Sequence, residues 1–452
     1  MEDTIPETAA LPGFSLIIGN FIAPSIMSKY GRRFANLLSM VPLIIGWVCI
    51  VFAGSIPILM LARFFHGICM GMCTSLGSLL IGEYTSPRNR GAFLMTISVF
   101  IAMAALLVHT MGSYFTWQVT ALVCASIAVV DFFIVLWSPE SPSWLAAQGR
   151  YEESKRVFRW LRGDDEETEL KLMIEASILV KESKQDTNVS EPLAEKFKRN
   201  VVYFNTTIRK REFYRPIIIM MHIYTIAQWS GVNVMVPYAD DLFHLVVGPD
   251  ANIPLLLITL DIHRIIANIF AIYIIKKVKR RTMWFTTVGI NIYAYLATAG
   301  YTHAKDMGYL PFDHPAFGIL LTHILMFAVA TGSLSLCFII AGEIFPLEYK
   351  NLAGGISVLF YSGNLFLSVK TVPYLFRTWG VHGAYLIYAS IISYCFLITW
   401  IFLPETKDRT LQDIEDEFRG RPLSPEELKS VQSLTSWKVH NPDRRCSTPA
   451  LV

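Results

Sequence analysis

The sequence predicts an all-α polytopic membrane protein, and three observations carry that prediction. Of its 452 residues, 53% are hydrophobic and 17% are charged, with a mean hydropathy of +0.43, whereas soluble domains carry about 25% charged residues. The apolar residues come in runs of about 20, the length a helix needs to cross the hydrocarbon core. The Lys and Arg residues cluster in short segments between those runs, the pattern of membrane orientation. By length alone the chain suggests about three soluble domains, but its charge is too sparse to solvate three surfaces. The net charge of +3 is small, so no nucleic-acid partner is expected.

In chain order, candidate spans cover 8–28, 34–54, 58–81, 92–113 and 118–138. The polar stretch 139–213 follows, containing DDEETELK and KESKQDTN. Six more spans then cover 215–238, 252–275, 282–302, 315–341, 352–374 and 383–403. From Pro404 the chain is polar, beginning with the amphipathic TLQDIEDEFRG and turning Ser- and Pro-rich, which reads as solvated and mostly disordered. The expected organisation is an N-terminal bundle of five helices (1–138), a helical loop (139–213), a C-terminal bundle of six (214–403) and a tail (404–452).

One set of loops carries Lys29, Arg32, Arg33, Arg88, Arg90, Lys276, Lys277, Lys279, Arg280, Arg281 and Lys350, whereas the alternate set carries Lys305 and Arg377. The first set is expected to be cytoplasmic, together with the loop, the tail and the sequons at Asn188 and Asn205, which should stay unmodified. Six of the seven cysteines lie in apolar runs, where cysteine packs as a small hydrophobe. No metal site, cofactor or cleavable leader is expected, since Cys69 and Cys73 lack further ligands nearby and MEDTIPETAA lacks a basic flank.

The halves carry signs of a repeat. SKYGRR (Ser28 to Arg33) matches KKVKRR (Lys276 to Arg281), and Glu83 precedes Arg90 by seven residues as Glu343 precedes Lys350. These loops, the run Arg63-x-x-x-Gly67-x-x-x-Gly71, and the segments GEYTSPRNRG, PESPSWL, SGVN with Tyr238, GEIFPLEYK and PETKDRTL occur in one order. Together they resemble the sugar-porter branch of the major facilitator superfamily, from about Ala10 to Leu411. Within it the chain looks most like insect facilitated trehalose and glucose transporters.

That resemblance implies a major facilitator fold with 11 of the usual transmembrane helices, the family's first being absent, and a small-molecule sugar partner in a cavity between two bundles. It implies that Gln228, Asn233 and Tyr238 contact the sugar, offering amide and hydroxyl groups that both donate and accept; interhelical hydrogen bonding is the other use of such residues. It also implies a cytoplasmic gate between the halves, built from Arg32, Arg33, Glu83, Arg90, Arg280, Arg281, Glu343 and Lys350. Ion pairs at a wet rim are weak enough to break and reform, at about 0–1 kcal/mol each. The same charges also serve orientation alone. The chain departs from the family at Ala227, Ser98, Cys337-Phe338 and Tyr361-Ser362, where cavity-lining glutamines, Pro-Trp and Asn-Trp are usual.

Gly67 and Gly71 read as a packing face for another helix. Asp261, His263 and Arg264 fall inside a span, and Asp261 and Arg264 are spaced to meet on one helix face; Asp131 and Lys370 are lone intramembrane charges. The expected activity is facilitated diffusion of trehalose, a hexose or a related polyol at the plasma membrane, not an enzymatic reaction. A transport-incompetent sugar sensor or a truncated isoform is the alternative. The first span, with Gly13, Ser15, Gly19 and Asn20, is expected to present a face that lacks its partner.

Overall fold

Helix α1 (Ile5–Tyr30) begins an all-helical chain. The structure, a computed structural model, describes residues 5–86, 90–164, 166–186, 205–235, 237–248, 251–310, 314–345, 350–407, 409 and 411–420. Among them there is no strand. After α1 come α2 (Arg32–Val51), α3 (Ile56–Tyr84), α4 (Arg90–Tyr114) and α5 (Trp117–Trp137). Short helices α6 (Pro142–Ala147), α7 (Tyr151–Arg162) and α8 (Glu167–Asp186) occupy the polar stretch. The second half holds α9 (Arg211–Trp229), α10 (Val232–Met235), α11 (Ala239–Val246), α12 (Ile253–Ile275) and α13 (Arg280–Asp306). It continues with α14 (Pro315–Ala328), a π turn (Val329–Ser333), α15 (Ser335–Ile344) and α16 (Lys350–Phe402), which bends sharply at Gly380. Eight helical segments among the described residues are long and apolar enough to cross a membrane, the last being both arms of α16.

In the first half α3 packs on α1 and α2, and α2 on α5; in the second, α16 packs on α9 and α13, and α13 on α14. The halves meet where α4 lies along α12 and α1 lies along α16. The α1–α3 seam shows why small residues are there. A Cβ at Gly71 would stand 2.1 Å from the Leu16 carbonyl oxygen, and one at Gly19 would stand 2.1 Å from that of Ile68. Backbone therefore touches backbone, as small residues permit in a bundle without a hydrophobic drive between helices.

This seam corrects one expectation. Gly13, Ser15, Gly19 and Asn20 do not form an unpartnered face: Gly13 abuts the Phe366 backbone of α16, Ser15 is buried under Gly67, and Asn20 accepts a 2.8 Å hydrogen bond from Ser75. The small and polar residues of α1 are absorbed by two neighbours at once, one in each half.

In the loop, Phe158, Leu170, Met173 and Ala146 form a small core of their own. Arg162 lies over the Phe158 ring and joins Glu166 at 3.2 Å and Glu169 at 2.9 Å. The hydrogen bond from Arg159 holds the Glu167 carboxyl below the usual carboxylate range, and Lys155 does the same for Glu152. The amphipathic start of the tail is ordered helix α17 (Leu411–Arg419). It buries Ile414 and Phe418, and Arg419 approaches Glu212 of α9 at 3.7 Å. The Asn188 sequon and 421–452 lie outside the described residues.

Candidate functional site: twin arginine clusters and the bundle interface

Gly31 is the whole connection between α1 and α2. Its φ of +98° suits a residue without a side chain, and a Cβ there would meet the Glu140 carboxylate at 2.2 Å. That carboxylate sits at the N-terminus of α2, where free N–H groups and the helix dipole favour an anion. Glu140 accepts from the Arg32 N–H at 2.8 Å, the Arg33 N–H at 3.2 Å and the Ser141 N–H at 2.8 Å. The Arg32 guanidinium meets Glu83 with two parallel bonds of 3.0 and 2.8 Å and also reaches the Met27 carbonyl at 3.2 Å. Ser141 donates to the same Glu83 carboxylate at 2.5 Å, and Arg33 donates to the Leu136 carbonyl.

The second half repeats this set. Glu405 accepts from the Arg280 N–H at 2.9 Å and the Arg281 N–H at 3.2 Å. Arg280 lies 3.5 Å from Glu343 and donates to the Ile275 carbonyl at 2.6 Å. Thr406 donates to Glu343 at 2.6 Å, in the manner of Ser141, and Arg281 donates to the Trp400 carbonyl at 2.8 Å. Charge-assisted bonds of this kind are about twice as strong as neutral ones.

Six of the eight expected gate residues thus come together, though not as one network between the halves. The arginine ion pairs described at this end close inside each half, because each arginine follows a one-residue or short turn that aims it at its own half's carboxylate. Arg90 and Lys350 open α4 and α16, and their side chains lie outside the described residues. The halves do approach at this end, since a Cβ at Gly91 would lie 3.9 Å from Arg280 Nη2. Sequence reading passed over Glu140, Ser141, Glu405 and Thr406. Their signal was the paired PES and PET segments, each placing a carboxylate and a hydroxyl just after a span.

The expected sugar contacts lie around a break in the helix after α9. Gly231, with φ +112°, interrupts the helix, and a Cβ there would strike the Tyr295 hydroxyl at 2.6 Å. The carbonyls freed by the break are met by Tyr295, which donates to Trp229 at 2.9 Å, and Asn291, which donates to Ser230 at 3.2 Å. Interrupted helices at membrane depth require such partners. Gln228 is fully buried, and Asn233 donates to its Oε1. The Gln228 Nε2 makes no hydrogen bond of ordinary geometry, with the Tyr361 hydroxyl beside it. Tyr238 is buried and donates to the Val369 carbonyl at 3.2 Å.

Around Gln228 the neighbouring side chains form an aromatic wall. Tyr361 packs on Tyr224 and Phe338 at 5.2 and 5.7 Å between centroids. Just before the break, Trp229 packs tilted against Tyr388 at 4.8 Å and donates to Asn364 at 2.9 Å. The void beneath these tyrosines, about 30 Å³ and bounded by Gly231, Tyr295, Leu325, Tyr385 and Tyr388, has room for about one water. A larger cleft of about 660 Å³ opens at the end away from the arginine clusters, beside Asn252, Leu256, Thr259, Lys305 and His323.

The intramembrane charges find partners that were not foreseen. Asp261 bonds to His109 of α4 at 2.5 Å instead of pairing with Arg264 on its own helix. The α12 face that carries both residues also carries Asn268, which donates to the Ser98 carbonyl at 3.3 Å and accepts from Ser335. Lys370 is not alone either: it lies 3.1 Å from Glu7. His109, the lone imidazole in its span, was the available clue.

The sugar (and other) transporter family matches residues 8–418. The chain is 24% identical to facilitated trehalose transporter Tret1 of Apis mellifera ligustica over 417 residues, covering 90% of this chain and 78% of that protein. It is 24% identical to Tret1 of Bombyx mori over 422 residues, 92% of this chain and 79% of that one. Against Tret1 of Drosophila willistoni the identity is 24% over 430 residues, 93% of this chain but 46% of the longer fly protein. The fold is similar to that of the proton:xylose symporter XylE bound to 6-bromo-6-deoxy-D-glucose, with TM-score 0.72, 19% identity, and coverage of 92% and 90% of the two chains. The inward-open form of XylE from E. coli superposes with TM-score 0.68 at 20% identity, covering 91% and 88%. With most of its length matched, the chain belongs to the sugar (and other) transporter family.

Proposed function

We propose that this chain carries trehalose, a hexose or a related polyol across the plasma membrane by alternating access, as a uniporter of eleven spans. The observation that carries the reading is the duplicated arginine cluster, one copy in each half at the same end of the bundle. Each copy welds four helices of its own half, α1, α2, α3 and α5 or α12, α13, α15 and α16, into a body that moves as one, and shallow contacts between the bodies are what alternate. In this reading the basic end and the tail face the cytoplasm. Arg90 and Lys350 complete the gate there with Arg32, Arg33, Glu83, Arg280, Arg281 and Glu343. Gln228, Asn233 and Tyr238 meet the sugar once the helix break at Gly231 shifts, and the reading involves no enzymatic step.

Counterflow of labelled trehalose and glucose in proteoliposomes, with and without a pH gradient, tests this. Exchange without gradient-driven accumulation supports the uniporter; accumulation driven by the gradient alone overturns it. A sensor that binds without transporting is the second reading, and the mutual Gln228–Asn233 bond favours it because it occupies groups a sugar would use. Sugar binding with no counterflow selects that reading.

A further inference from the structure

Among the described residues two ion pairs join the halves at the end away from the arginine clusters, and they differ in chemistry. Glu7 of α1 and Lys370 of α16, 3.1 Å apart, have side chains 51% and 39% exposed and form a carboxylate–ammonium pair with no imidazole in it. His109 of α4 and Asp261 of α12, 2.5 Å apart, have side chains 15% and 5% exposed. Imidazole is the side chain whose charge ordinarily changes between pH 5 and 8.

The charges around this second pair are few. Arg264, one turn along α12, is buried and lies in the field of Asp261; its charge is fixed, so it offsets the carboxylate equally at every pH in that range. His263 faces His323 of α14, with nitrogens 3.2 Å apart. The other helices packed on α4 direct their charges elsewhere. On α3, Arg63 lies beside His66 and Glu83 bonds Arg32; on α5, Asp131 lies near Cys69 and Cys73; on α15, Glu343 meets Arg280.

We propose that His109 and Asp261 form a proton-binding site that latches the outer face of the carrier. The inference rests on the alternating-access reading above. With both imidazole nitrogens protonated, the Nδ1–H donates to the Asp261 carboxylate as a charge-assisted bond. When pH rises, the Nε2 proton leaves to water, while Nδ1–H stays on the carboxylate as a neutral donor. Protonation therefore strengthens a contact that exists in either form. The latch is tightest with the imidazole protonated and weaker once it is neutral. The carboxylate is charged in both forms, so protonation adds the attraction of an ion pair to an existing bond, which is enough to change the open-to-closed ratio about fivefold. The Glu7–Lys370 pair at the same end closes the bundle without regard to pH.

The test uses the full chain in proteoliposomes. Nitroxide labels on encoded ketone residues replace Tyr114 and Leu255, which are exposed at the outer ends of α4 and α12, leaving the native cysteines in place. Pulsed electron-electron distances at pH 5 to 8 report the open fraction. It is expected to rise about fivefold toward pH 8 in the parent, to stay level in His109→Asn, and to stay low at all pH in His109→Lys. Glu7→Gln is expected to raise it equally at every pH. A level profile in the parent, or the parent's profile retained in His109→Asn, overturns the latch. Counterflow in the same vesicles separates the two ideas: counterflow with a level distance profile sinks the latch alone, and pH-driven opening without counterflow sinks the carrier reading alone.

Discussion

Glu83 is the carboxylate that meets the Arg32 guanidinium. It accepts two bonds from Arg32 and one from Ser141, while its own carbonyl accepts from Arg162 at 3.0 Å. Removing its charge takes from the Arg32 guanidinium, 17% exposed, the carboxylate it pairs with. Glu83→Gln is expected to lower stability by about 1.5–3 kcal/mol, read as a fall in melting temperature in detergent. Gly71 is sensitive for a steric reason. Any side chain there meets backbone atoms of Leu16 and Asn20, which cannot rotate aside as a long side chain does. Gly71→Leu is expected to cost about 1–3 kcal/mol or more and to separate α1 from α3, whereas Gly112→Leu, with open space around it, should melt as the parent does.

At the scale of elements, the break after α9 depends on outside partners. Gly231→Ala forces a side chain into a left-handed turn and against the Tyr295 hydroxyl, and a strained residue of this kind costs of order 1–3 kcal/mol. Asn291→Ala instead leaves the Ser230 carbonyl unmet; a buried unsatisfied group costs about 1–3 kcal/mol. Both variants are expected to melt lower, and parallel losses of sugar counterflow would tie the break to the site. The spans themselves were legible because length and apolar composition report on the bilayer directly: the expected 92–113 and 252–275 became Arg90–Tyr114 and Ile253–Ile275. The helix break within 215–238 was not read as one, although Ser230 and Gly231 mark it. Composition reports burial well but says little about where a buried chain turns. Gln228 and Asn233 bond each other on one segment, but the Val369 carbonyl that accepts from Tyr238 and the Tyr361 hydroxyl beside Gln228 come from a distant helix that local reading cannot see. The Asp261–Arg264 expectation failed for the same reason, since a spacing rule ranks neighbours on one helix and is blind to His109 across the interface.

For the whole molecule, the twin clusters set how damage should add. Glu83 and Glu343 sit in different halves and share no partner among the described residues, and independent sites add within about 0.3–0.5 kcal/mol. The double variant Glu83→Gln with Glu343→Gln is therefore expected to lose, by melting, the sum of the single losses. Transport need not follow that sum, because a cycle in which the two bodies rock against each other passes through both.

The bend at Gly380 has a mechanical consequence. The two arms of α16 are joined by a single residue with φ +68°, beside His382, whose ring lies 5.0 Å from that of His303 and 3.5 Å from Asp306 at the end of α13. A span-to-span joint this short has no slack to absorb rotation. Torque applied to the first arm, which lies along α1 of the other half, passes through the elbow into the second arm and into α13. Lengthening the joint by a few flexible residues would leave each arm folded while uncoupling them, turning a lever into two loose rods.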